Sequence, residues 1–165
     1  MSLMLNRRSV RKYTNEPVRE TAVEAMLKAA MQAPSANNQQ PWEFIVVDDR
    51  ATLDKLSEAS RGAWMLKDAP LAIIVVMRDD GKSPHMKPQD CAAAVQNILL
   101  EAVRLDLGAV WIGVYPLEER MAHVNETLHI TRGTAFAQIA IGHPDDDRPV
   151  QLRYDTTRVH RNKME

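Results

Sequence analysis

Cysteine occurs once in this chain of 165 residues, at Cys91. No disulfide can close within it and no cysteine cluster can hold a metal, which fits a reducing compartment such as the cytoplasm. Glycine is also scarce, with six residues at 62, 81, 108, 113, 133 and 142. None has the spacing of G-x-G-x-x-G or G-x-x-x-x-G-K-[ST], so a dinucleotide fingerprint and a P-loop are both excluded. The G-x-S-x-G nucleophile elbow is missing. No apolar run approaches the ~18 residues of a membrane span, and the N-terminus lacks a signal-peptide h-region. A formal net charge of −1 gives no general pull toward nucleic acid or an anionic membrane. Of the five histidines, His85, His129, His143 and His160 sit in loops or turns without ligand spacing. His123 and Glu126 stand one helical turn apart, but nothing elsewhere completes a metal site. With no evident nucleophile, acid–base dyad or metal centre, any catalysis here would need a bound cofactor.

What is present is an ordinary globular composition, 45% hydrophobic and 26% charged, in a length that suits one domain with a sizeable core. Residues 2–8 read as a short helix leading into a dense basic run, Arg7-Arg8-Ser9-Val10-Arg11-Lys12. Helical spacing of apolar residues predicts a helix over 21–32, ended by Pro34; Thr21 and Glu24 fit a capping box, and a start one or two residues earlier is also open. Residues 43–47 read as a strand, 51–60 as an amphipathic helix and 62–70 as irregular chain. The continuous apolar run Leu71 to Met77 predicts a strand buried on both faces. Residues 79–88, with one glycine and two prolines, predict a mobile surface loop. The longest helix, 89–107, carries apolar residues around most of its circumference, which calls for cover from several sides and predicts a second subunit. A strand over 109–115, a helix over 117–128 and a strand over 134–141 follow. Asp145-Asp146-Asp147 reads as a solvated turn. The last twenty residues are polar, carry Arg148, Arg153, Arg158 and Arg161, and have no core pattern of their own.

Ala33 to Trp42 reads A-P-S-A-N-N-Q-Q-P-W. Two prolines forbid helix and ladder on either side, and between them lie a serine and four carboxamides. A carboxamide offers a donor and an acceptor side by side, which matches the alternating C=O and N–H groups on the pyrimidine edge of a flavin. Arginine guanidinium groups, in turn, bind phosphate oxygens through paired, charge-assisted hydrogen bonds. Arg7, Arg8 and Arg11 would neutralise a phosphate dianion if they converged with arginines of the tail. Amide display and basic cluster together point to a mononucleotide such as FMN, whose single phosphate needs no dinucleotide fold.

Five ordered stretches resemble the nitroreductase family: R-R-S-V-R from Arg7, A-P-S-A-N-N-Q-Q-P-W from Ala33, D-x-x-x-A-x-x-N from Asp90, G-x-x-W-I-G-V-Y from Gly108 and R-Y-D-x-x-R-V-H from Arg153. They span nearly the whole chain. The resemblance implies an α+β fold with a central, mostly antiparallel sheet flanked by helices, assembled as an intertwined homodimer with FMN at the interface. By position it assigns flavin contacts to Arg7, Arg8, Ser9 and Arg11, with Arg153 helping Arg7 and Arg8 at the phosphate and Arg11 near the pyrimidine carbonyl and N1. Pro34, Ser35 and Asn38, with Gln40 nearby, would be supplied by the partner chain. The backbone of Trp111, Ile112, Gly113 and Val114 would lie along the isoalloxazine ring. No side chain is assigned as catalytic, since flavin N5 carries the chemistry, and no metal is implied.

The implied activity is two-step transfer of hydride from NADH or NADPH, through the flavin, to nitroaromatics, quinones or similar electron-poor acceptors. A reductive dehalogenase, a flavin-fragmenting enzyme and a non-catalytic flavin-binding dimer are alternatives on the same fold. The chain departs from larger members by lacking their long insertion and by having Gln151 where some carry a basic residue. The first departure implies a more open flavin face. The second leaves it to Arg158 or Arg161 to complete the phosphate neutralisation.

Overall fold

The computed structural model describes residues 3–164. Four antiparallel strands form one sheet: β1 (Trp42–Val47), β2 (Leu71–Met77), β3 (Gly108–Gly113) and β4 (Thr134–Gly142), in the order β1-β2-β4-β3. Five α-helices accompany them: α1 (Leu3–Asn6), α2 (Glu20–Met31), α3 (Arg50–Ser57), α4 (Lys87–Arg104) and α5 (Glu118–Thr127). The α+β architecture and the antiparallel sheet expected from the resemblance are both present. Of the short helix expected over 2–8, Ser2 lies outside the described residues, and the observed turn is Leu3–Asn6.

Each sheet face carries its own core, because side chains alternate along a strand. On one face Ile73, Val75, Ile139 and Ile141 pack beneath Met26 and Ala30 of α2 and Ala94, Val95 and Ile98 of α4. On the other, Ile74, Val76, Val110 and Ile112 meet Leu53 and Leu56 of α3, Met65 and Leu66 of a 3-10 turn at Arg61–Lys67, and Val124 of α5. That 3-10 turn occupies part of the stretch expected to be irregular. β2 lies between two neighbours and under two layers, and its bounds coincide with the apolar run. A register shift between Val75 and Val76 bulges β4 at Phe136. Extra residues of this kind re-aim side chains, and here both Phe136 and Ala137 face the α2–α4 core. The Phe136 ring then stands 5.9 Å from those of Trp111 and Tyr115.

One local expectation, the cap of α2, was overridden. α2 begins two residues earlier than the Thr21–Glu24 capping box requires, with Arg19 at the N-cap position, and no side chain caps it. Glu24 is instead paired with Lys28 at 2.8 Å on the exposed face. The loop after β2 is tied down: Lys87 Nζ donates to the carbonyls of Arg78 and Asp79, each at 2.8 Å, and Asp79 Oδ2 accepts from Gly133 N at 2.8 Å. α4 is covered by the sheet, α2 and α1 on one side, while Ala92, Ala93, Leu100 and Val103 remain half-buried. Cys91, in the second turn of α4, is fully buried, and burial pushes its thiol up to about 12, so it stays protonated and unreactive at neutral pH.

Candidate functional site

The basic N-terminal segment is held against the open edge of β3. Val10 N donates to Ala109 O at 3.1 Å, and Ser9 forms a parallel bridge with Ala109. Val10 is buried against Gly108, where an added Cβ would lie 2.6 Å from Val10 Cγ1, so this close approach depends on glycine. Further along, Thr14 N donates to His143 O at 2.9 Å. The Tyr13 hydroxyl sits 2.6 Å from Val10 O and 3.1 Å from Ala140 O, stapling the segment to β4. Burial pushes the Tyr13 phenol well above its ordinary value, so it donates at any physiological pH. Tyr13→Phe leaves the two buried carbonyls without this donor. It is expected to cost about 1–3 kcal/mol, read as a lower urea midpoint with an unchanged slope.

With Val10 turned inward, its neighbours Ser9 and Arg11 turn outward by strand alternation. Arg7, Arg8, Ser9 and Arg11 line a cavity of about 710 Å³. Its far wall is the C-terminal tail, with Arg148, Gln151, Arg153 and Tyr154. Five arginines and no carboxylate line this space, so it carries a concentrated positive field. Among the described residues Arg7, Arg11 and Arg153 have no ion-pair partner.

The tail is fastened by Asp146. Its carboxylate accepts from Arg148 Nε at 2.9 and 2.7 Å and from Arg148 N at 2.9 Å, and Arg8 Nη1 lies 3.4 Å from Oδ2. Arg8 Nη2 donates to Asp146 O. The side chain of Asp146 is only 5% exposed, so the expectation of a solvated aspartate turn fails at its middle residue. The Arg148 hydrogen bonds, then the Arg8 charge, hold this carboxyl far below the usual carboxylate range. Arg8 Nη1 is buried yet makes no hydrogen bond, close to Asp146 as it is. A buried guanidinium N–H without an acceptor is costly, and an anionic oxygen in the cavity would satisfy it.

The other predicted site residues lie elsewhere. Pro34, Ser35, Asn38 and Gln40 do not line this cavity. They sit on the loop between α2 and β1, where Asn37, Asn38 and Gln40 take left-handed backbone with φ of 51°, 51° and 46°. Ser35 Oγ accepts from Gln40 N at 3.0 Å, and Gln40 Nε2 donates to Asn38 Oδ1 at 3.1 Å. Not every amide is displayed: Asn37 and Gln39 are engaged with Ser83, and Gln39 also with Asp90. Ile112 on β3 and Val114 just after it are buried, so only their backbone could meet a ligand, whereas Trp111 is 36% exposed and Gly113 exposed. Ala109 turns its carbonyl to Val10, away from β4, and alternation turns the peptide groups of Trp111 and Gly113 to the same open edge. There Gly113 O accepts from Arg120 Nη1 at 2.9 Å.

Two groups went unread in the sequence: the Asp146–Arg148 clasp and the Gln39–Asp90 pair. The acid–base run 145–148 was the only local signal for the first, and nothing local marks the second. Arg158, weighed for the phosphate, pairs with Asp155 at 3.2 Å and lies outside the cavity lining, as does Arg161. His123 Nε2 lies 2.8 Å from Lys55 O. Among the described residues no group of three or more His, Cys, Asp or Glu is placed for a metal, and no helix is long and apolar enough to cross a membrane.

The sequence profile of the nitroreductase family matches residues 4–82 and 64–143, together most of the chain. The chain belongs to the nitroreductase family. A family protein of Archaeoglobus fulgidus, named as a proposed NADH dehydrogenase/NAD(P)H nitroreductase, is 43% identical over 169 aligned residues, covering 99% of this chain and 97% of its own. The crystal structure of a proposed NADH oxidase from Clostridium acetobutylicum superposes with a TM-score of 0.96 at 46% identity, covering 99% of this chain and all of the other. A Desulfovibrio desulfuricans protein described as a proposed nitroreductase was solved in complex with FMN. It is 31% identical, with a TM-score of 0.83, over 99% of this chain and 96% of that one.

Proposed function

We propose that this nitroreductase-family chain binds FMN and uses it to pass hydride from NADH or NADPH to an electron-poor acceptor such as a nitroaromatic or a quinone. One observation carries the reading. Five arginines enclose a cavity with no carboxylate in its lining, and the buried Nη1 of Arg8 there lacks an acceptor. That donor set fits a phosphate monoester dianion, and the FMN complex of the Desulfovibrio relative supports the identification. The flavin, when bound, supplies the ring that takes and returns hydride. Everything else is binding and orientation by this chain. Arg7, Arg8 and Arg153 hold the phosphate, with Ser9 beside them. Arg11 brings positive charge toward the pyrimidine edge, where it favours the reduced anion. The outward peptide groups of Trp111 and Gly113 offer donors along the ring. No side chain needs to move a proton.

Pro34, Ser35, Asn38 and Gln40 lie apart from the arginine cavity, so the complete site takes them from a second copy of the chain. Exposed Leu3, Met4 and Leu5 of α1, the half-buried side of α4 and exposed Leu152 and Tyr154 of the tail supply apolar surface for that homodimer. One domain per chain, acting in the cytoplasm, completes the reading.

The test is a visible spectrum. Purified protein given FMN should be yellow, lose colour anaerobically with NADH or NADPH, and regain it with a quinone or nitroaromatic. A protein that takes up no FMN would overturn the reading. Flavin that binds and resists both nicotinamides would favour a non-catalytic role.

A further inference from the structure

We infer that Gln39, oriented by Asp90, is a positioning residue that sets the 35–40 loop in its ligand-presenting shape; this rests on the FMN reading above. The side-chain amide of Gln39 is fully engaged. Nε2 donates to Asp90 Oδ2 at 2.6 Å and to Ser83 O at 3.0 Å, while Oε1 accepts from Ser83 N at 2.9 Å. The carboxamide therefore pairs with the peptide groups of Ser83 as a neighbouring strand would. The second oxygen of Asp90 accepts from Ala36 N at 3.0 Å, so one carboxylate grips the loop just before its left-handed stretch and again within it, at Gln39. Asn37 Nδ2 adds a bond to Ser83 Oγ at 2.7 Å.

The facing loop is shaped to admit Gln39. Gly81 adopts φ +136°, and a Cβ there would lie 2.7 Å from Gln39 Oε1. Asp90 is buried in the first turn of α4, a helix anchored in the core, so the brace is referred to the rigid part of the molecule. Three non-glycine residues with positive φ in four positions form a backbone that local preference disfavours, and such shapes persist only where surrounding contacts over-determine them. Here those contacts are the Gln39 amide, the Asp90 carboxylate and the Ser35 hydroxyl. Their effect is to turn Asn38 and Gln40, already bonded to each other, away from the core. The brace touches no ligand itself; it acts through the two amides it displays.

The polarity of the pair gives a specific test. Asp90→Asn can set a donor against the Gln39 donor, and Gln39→Glu sets a carboxylate against Asp90. Each single change keeps shape and volume. Each should weaken FMN binding roughly 10-fold, the effect of one lost charged hydrogen bond, and speed hydrogen exchange at the amides of Ala36 and Gln40. The double variant, with a donor restored opposite an acceptor, should recover part of the affinity and protection lost in Gln39→Glu, and only part, because the substituted carboxylate still offers no donor to Ser83 O. Titration of flavin-stripped protein with FMN and amide exchange followed by NMR, each on protein whose folding is checked by thermal melting, read these effects separately. Single variants that match wild type in affinity or exchange, or a double variant as weak as the poorer single one, would overturn the inference. A wild type that takes up no FMN defeats the FMN reading, and this inference with it, before any substitution is made.

Discussion

Arg8→Ala will weaken FMN binding roughly 10- to 150-fold, the range expected when a hydrogen bond to a charged group worth about 1.5–3 kcal/mol is removed. Arg8 is the arginine whose Nη1 is buried without an acceptor, so a bond from it to a phosphate oxygen would displace no other. Its loss also bares part of the Asp146 carboxylate toward the cavity, which adds repulsion to the missing attraction. Arg8→Lys should recover only part of the affinity, since a single ammonium cannot reproduce the fork that reaches both Asp146 and the ligand. Fluorescence titration of flavin-stripped protein at low and moderate salt measures this, and unchanged affinity would place the phosphate elsewhere.

The pH dependence has a definite sign. Asp146 titrates below its unfolded value, so its clasp on Arg8 and Arg148 is fully present above the ordinary carboxylate range and is lost only as pH falls through the depressed value. Between pH 7 and 5 the clasp stays intact. Affinity should instead fall as the phosphate dianion takes up a proton near about pH 6 and loses one of its two charges. An analogue without phosphate should show no such loss.

Ile98→Ala should be among the damaging core changes, costing about 2–5 kcal/mol. Ile98 is fully buried on the face of α4 that meets α2 and the sheet, and truncation leaves a void among side chains that cannot close around it. Set against a total stability of about 5–15 kcal/mol, the loss lowers the melting temperature by roughly 5–20 °C. Ile98→Val, removing one methylene, should cost only about 0.5–1.5 kcal/mol. Calorimetry of the three proteins would separate these cases, and an equal effect from both substitutions would argue against a cavity. Because α4 also carries Asp90, a loosened helix should speed exchange in the 35–40 loop.

Much of the fold was legible because burial writes a period into the chain. The apolar run Leu71–Met77 gave β2 its observed bounds, since a strand covered on both faces tolerates no polar position. β1, β4 and the helices were found within a few residues for the same reason, and family membership was readable from five ordered motifs. Arg7, Arg8, Ser9, Arg11 and Arg153 were named as one set before their convergence around a cavity was visible. Even there, the sequence supplied residue types and order, and not contacts.

Tertiary structure decided what local pattern cannot carry. The strand order β1-β2-β4-β3 depends on which apolar faces close on each other across long stretches of chain. Asp146 is covered while its neighbours are not, because Arg8, 138 residues away, meets it. Thr21 and Glu24 had the spacing of a cap, yet Glu24 faces solvent with Lys28. Of four adjacent carboxamides, Asn37 and Gln39 brace while Asn38 and Gln40 display, a division set by Ser83 and Asp90 and invisible in A-N-N-Q-Q. Periodicity records which side of an element is buried. Hydrogen-bond and ion-pair partners are chosen only when distant segments meet, and that choice belongs to the folded chain.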